Sequence, residues 1–161
     1  MSGFACAAAC AVMAAAPAQA NCWKADDVRA AKVRDLDTML MVSALRCRLG
    51  DTGLLERYNA YVVQDRAALT DVNNALHAHF AAEVGKAKAL DAYDNYVTAV
   101  ANSYGAGVTG LSCADMGSIV DAAMAEGASY EALSAIAERA NVQPRLEGGA
   151  CEAPMTIAAL P

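Results

Sequence analysis

A chain of 161 residues carrying 18 acidic and 12 basic side chains has a formal net charge of −6. It lacks the basic stripe that displaces counterions from nucleic acid, and its sign disfavours an anionic membrane surface. The length is enough for one domain with a real core.

Residues 1–20 contain no charged side chain, are dominated by Ala, Val and Met, and end in Ala18-Gln19-Ala20. Small residues at −3 and −1 suit a signal peptidase, and an apolar stretch of this length is too short to span a bilayer. The segment is therefore expected to be a signal peptide, with the mature chain starting at Asn21. Its start, Met1-Ser2-Gly3-Phe4, departs from the usual pattern in having no Lys or Arg. A lipid anchor is disfavoured because Asn21, directly before Cys22, is too large for that cleavage. The protein is expected to be exported, periplasmic or secreted, and to fold in an oxidising compartment. All of its charge lies in residues 21–161, where no second long apolar run exists.

Beyond the leader, helical spacing of apolar residues predicts an all-α antiparallel bundle of about five helices over 21–144. The first helix, about 24–48, places Val33, Leu36, Leu40, Ala44 and Cys47 on one face. Asp26 and Asp27 sit in its first turn and Arg46 and Arg48 in its last, as the helix dipole prefers. A second helix, about 52–83, carries Leu55, Tyr58, Val62, Leu69, Val72 and Leu76 in a stripe interrupted at Asp65. These two form a long N-terminal hairpin. A third helix, about 86–104, presents Leu90, Tyr93, Val97, Val100 and Tyr104. After the glycine-rich turn 105–110, Ser112 and Asp115 form a capping box for a fourth helix with Met116, Ile119, Val120 and Ala123 inward, ended by Gly127. Ser129 caps a fifth helix with Leu133, Ile136 and Ala140 inside, and Pro144 lies just beyond it. Residues 145–161 read as an irregular tail tied down by Cys151.

Six cysteines occur, of which Cys6 and Cys10 leave with the leader. Cys22, Cys47, Cys113 and Cys151 remain, far apart and without the C-x-x-C pairs typical of metal sites, so two disulfides are expected. Cys22 and Cys47 flank the first helix and stand roughly 37 Å apart at its rise per residue, far beyond the ~7 Å a bridge tolerates. That removes Cys22–Cys47 and with it Cys113–Cys151. In an antiparallel bundle Cys47 lies near the start of the fourth helix. The expected pairs are therefore Cys47–Cys113 and Cys22–Cys151, with Cys22–Cys113 and Cys47–Cys151 as the alternative.

The sequence offers little catalytic chemistry. His77 and His79, the only histidines, point about 200° apart on a helix and do not share a metal; both are read as solvated. Met39 and Met41 are read as core filler. C-x-x-C-H and G-x-S-x-G are absent, and the 105–110 turn lacks the Lys and preceding strand of a phosphate loop. Asp26, Asp27, Asp35, Asp37, Asp91 and Asp94 are read as solvated helix faces. Asp65 is expected to be buried, paired with an Arg or a Tyr hydroxyl, with a catalytic acid as the alternative. Six tyrosines far outnumber the other mature aromatics. Tyr58, Tyr93 and Tyr104 fall on inward stripes, whereas Tyr61 and Tyr96 fall off them and are the candidate interaction surface. No metal, cofactor or catalytic centre is expected. The resulting reading is an exported non-enzymatic protein that binds an unidentified envelope or extracellular protein, as an accessory, inhibitor or assembly subunit. The alternative is a carrier of a small ligand or cofactor in the bundle core.

Overall fold

A computed structural model describes residues 22–50 and 53–151; the expected leader and the last ten residues lie outside the described part. Six helices follow one another: α1 (Ala25–Cys47), α2 (Leu54–Gln64), α3 (Arg66–Val84), α4 (Ala89–Ser103), α5 (Cys113–Glu126) and α6 (Tyr130–Arg139). The fold is the expected all-helical bundle with two disulfides, but it has one helix more than the periodicity predicts. The second predicted helix is two, broken at Asp65. There the backbone turns to φ −93°, ψ 11°, and the Asp65 N–H donates to the Tyr61 carbonyl at 2.8 Å.

Helix α1 is the axis of the molecule and packs against all five other helices. That explains its composition. Val33, Leu36, Met39, Leu40 and Ala44 are buried among its neighbours. A surrounded helix has no solvated face at its middle, however, so Asp35, Asp37 and Thr38 are buried with them. The expectation that Asp35 and Asp37 lie on solvated faces is thereby corrected. Burial obliges these groups to find partners inside the protein. Asp35 accepts a hydrogen bond from the Tyr104 hydroxyl. Asp37 pairs with Arg34 at 2.9 Å and accepts from the Tyr58 hydroxyl at 3.2 Å. Thr38 donates to the Arg34 carbonyl at 2.8 Å.

The later helices start where the sequence says they do. Ser112 and Asp115 form the capping box of α5, and the Ser129 hydroxyl accepts from the Ala132 N–H at the start of α6. On α4, Tyr93 and Val100 are buried as expected, but Leu90 is exposed and leaves the predicted stripe. Gly85, at φ +83°, closes α3 in a conformation that side chains resist.

The disulfides join Cys22 to Cys151 and Cys47 to Cys113, the expected pairs. The first fastens the two ends of the described chain side by side. Trp23 and Ala150 form a short parallel bridge: the Trp23 N–H donates to the Gly149 carbonyl at 2.8 Å, and the Cys151 N–H donates to the Trp23 carbonyl at 2.9 Å.

Candidate functional site

This junction of chain ends builds one wall of an aromatic cleft. The Trp23 indole N–H donates to the Glu147 carbonyl at 3.0 Å, which fixes the ring against the C-terminal strap. The indole then meets Phe80 of α3 and Tyr96 of α4 at centroid distances of 5.8 and 5.5 Å, and those two rings stand 5.6 Å apart. Such spacings are those of edge and offset aromatic packing. Trp23 is only 3% exposed. Its other neighbour is His79, stacked at 3.8 Å, whose Nδ1 lies 3.2 Å from Asp27 and whose Nε2 stands 3.7 Å from Glu83.

The remaining walls follow from helical period. Helix α4 turns Ala92, Asn95, Tyr96, Ala99 and Val100 to the cleft, at i, i+3, i+4, i+7 and i+8; α3 contributes Phe80, Glu83 and Val84. Two alanines on the α4 face leave the space that larger residues would fill. The cavity measures about 320 Å³, with Arg145 and Glu147 of the strap along it. A largely apolar cleft with a few polar groups is the ordinary form of a small-molecule site. The Tyr96 hydroxyl is buried and has no hydrogen-bond partner. Burial pushes its pKa well above the usual tyrosine value, the nearby Asp35 adding to the shift, so the hydroxyl stays neutral.

Of the two tyrosines expected on the surface, Tyr96 is thus half-buried at the cleft. Tyr61 is corrected outright. It is fully buried, with an unpartnered hydroxyl. Leu54, Tyr58, Tyr61 and Asp65, at steps of four, three and four, are all buried, so the inward stripe of α2 runs through Tyr61 rather than through Leu55 and Val62. His77 and His79 are corrected as well: both are half-buried and hold ring contacts, His77 with Tyr93 at 4.0 Å. Among the described residues, no group of three His, Cys, Asp or Glu side chains is disposed to hold a metal ion.

Asp65 is fully buried. Neither carboxylate oxygen has a hydrogen-bond partner, so the expected pairing with an Arg or a Tyr hydroxyl is not found. Burial raises its pKa, which favours the neutral acid. An unsatisfied buried polar group destabilises by about 1–3 kcal/mol. Asp65→Ala is therefore expected to raise the unfolding free energy by about 1–2 kcal/mol in urea titration; a loss of stability would show that Asp65 has a partner that matters.

A second, more open groove of about 490 Å³ runs over α1, α2 and α3, where Arg34, Asp37, Tyr58, Arg66, Thr70 and Asn73 are among its lining residues. Its polar lining is largely used internally: Asp37 holds Arg34 and Tyr58, and Asn73 accepts from the Tyr93 hydroxyl at 2.8 Å. The cleft at Trp23 is the better formed of the two.

Periodicity alone does not reveal that cleft, because its walls come from four separated segments. The available signal was the spacing of Ala92, Tyr96 and Ala99, small residues around a tyrosine on one helical face. No protein-family model, curated protein or solved structure matches this chain.

Proposed function

We propose that the chain is an exported binding protein that carries a small amphipathic ligand in the cleft between α3, α4 and the C-terminal strap. The observation that carries this reading is the cleft itself: a largely apolar cavity of about 320 Å³ walled by Trp23, Phe80 and Tyr96. Two disulfides and the leader-like residues 1–20 support export. Among the described residues no helix is long and apolar enough to cross a membrane. N-terminal sequencing of the exported product is expected to read from Asn21.

The test of the cleft uses Ala99, whose methyl is exposed along its wall. Ala99→Phe fills the cavity without entering the core. Native mass spectrometry of protein purified from its host is expected to find a bound small mass on the wild type and none on Ala99→Phe, with both equally stable. Identical spectra for the two proteins would remove the cleft as the site.

A second reading, docking of an envelope or extracellular protein, is favoured by a different observation. Val42, Leu45 and Leu49 form a stripe at the end of α1, with Leu49 90% exposed. Arg46 and Arg48 flank it, so the fitting partner is an amphipathic helix with acidic borders. A protein captured by the wild type and released by Leu45→Glu, Leu49→Glu would support that surface instead.

A further inference from the structure

We propose that the cleft takes a small aromatic zwitterion of the amino-acid type. The inference rests on the ligand-binding reading above and deepens it. Phe80, Tyr96 and Trp23 give the cleft an aromatic floor, and its volume of about 320 Å³ suits a ligand of one ring and a short side chain. Such a ligand has about a dozen non-hydrogen atoms and lies at the small end of ordinary ligand sites.

The charges along the cleft decide the rest. Arg145 brings a guanidinium that forms no hydrogen bond or ion pair with any described residue. Glu83 brings a carboxylate of the opposite sign to the same cleft. It is engaged only at 3.7 Å, by His79. A ligand anion alone would satisfy Arg145 and leave the Glu83 carboxylate facing it. A ligand cation alone would satisfy Glu83 and face the guanidinium. A ligand with a carboxylate and an ammonium satisfies both. Because a zwitterion has no net charge, the overall −6 of the chain does not repel it.

Trp23, the single tryptophan, reports on its own site. Its emission is followed while the wild type is titrated with L-phenylalanine, 3-phenylpropionate, 2-phenylethylamine and benzyl alcohol. L-Phenylalanine is expected to bind about tenfold more tightly than either singly charged analogue, the scale of one charge-assisted hydrogen bond. Arg145→Gln is expected to weaken L-phenylalanine and 3-phenylpropionate about tenfold each and to tighten 2-phenylethylamine, whose ammonium no longer faces the guanidinium. A singly charged analogue binding as tightly as L-phenylalanine overturns the zwitterion and leaves the cleft as a ligand site. So does an Arg145→Gln variant that preserves the wild-type order. If none of the four probes, benzyl alcohol included, moves the Trp23 emission, both the zwitterion and the ligand-binding reading fall.

Discussion

Replacing Cys22 and Cys151 by serine is expected to lower the unfolding free energy by about 5 kcal/mol, a large part of the stability of a domain this size. The two residues are 129 apart in sequence, so their bridge removes much of the freedom of the unfolded chain. The 66-residue separation of Cys47 and Cys113 gives that bridge a smaller effect, by roughly half a kcal/mol on the same chain-entropy argument. The two losses differ more in character than in size. Without Cys22–Cys151, only two backbone hydrogen bonds and the indole N–H hold Trp23 to the strap. Its emission is expected to shift to longer wavelength as the ring becomes wet, and ligand binding in the cleft to be lost. Cys47→Ser, Cys113→Ser is expected to leave that emission in place. Urea titration with fluorescence detection measures both effects. Equal emission from the two variants would mean that the disulfide at the chain ends does not position the indole.

Asp35→Asn is expected to stabilise the protein by about 2–3 kcal/mol at pH 7.5 and to change little at pH 4. The Asp35 pKa is raised from 3.8 to about 6 because burial disfavours its charged form, while the hydrogen bond from Tyr104 opposes the shift. The sign follows from linkage. Between pH 4 and 6 the unfolded chain releases this proton while the folded chain retains it, so stability falls as pH rises through that window. Above the folded pKa the full penalty of a buried carboxylate is present. Asparagine keeps an oxygen that accepts from Tyr104 and never ionises. Urea unfolding at the two pH values reads the difference directly. A variant less stable than wild type at pH 7.5 would show that the charge of Asp35 is a net gain to the fold.

The sequence made legible whatever one helix decides for itself. Ser112 with Asp115 and Ser129 mark helix starts by local hydrogen bonds, and Gly85 and Gly127 mark ends. The length of α1 forbids Cys22–Cys47, and the antiparallel order of the helices, which brings Cys47 near the start of the helix that begins at Cys113, chose between the two remaining pairings. What stayed hidden depends on how many neighbours a helix has. Asp35 and Asp37 look solvated by composition, yet α1 is enclosed by every other helix. Tyr61 was hidden by the choice of stripe: a count from Leu55 through Val62 leaves it outside, whereas the buried set is Leu54, Tyr58, Tyr61 and Asp65. The cleft was hidden for a third reason. Trp23, Phe80, Tyr96 and Arg145 meet only after the ends of the described chain come together, and no local pattern encodes that closure.

The two disulfides are nested, Cys47–Cys113 lying within the loop closed by Cys22–Cys151. Covalently, the protein is therefore two fused rings rather than a thread. One proteolytic cut anywhere between Cys22 and Cys151, such as in the turn after α4, leaves every residue joined in a single molecule. A nicked copy stays whole without reductant and parts into two fragments once its thiols are freed. A first cleavage is then an injury that the surrounding helices can hold closed.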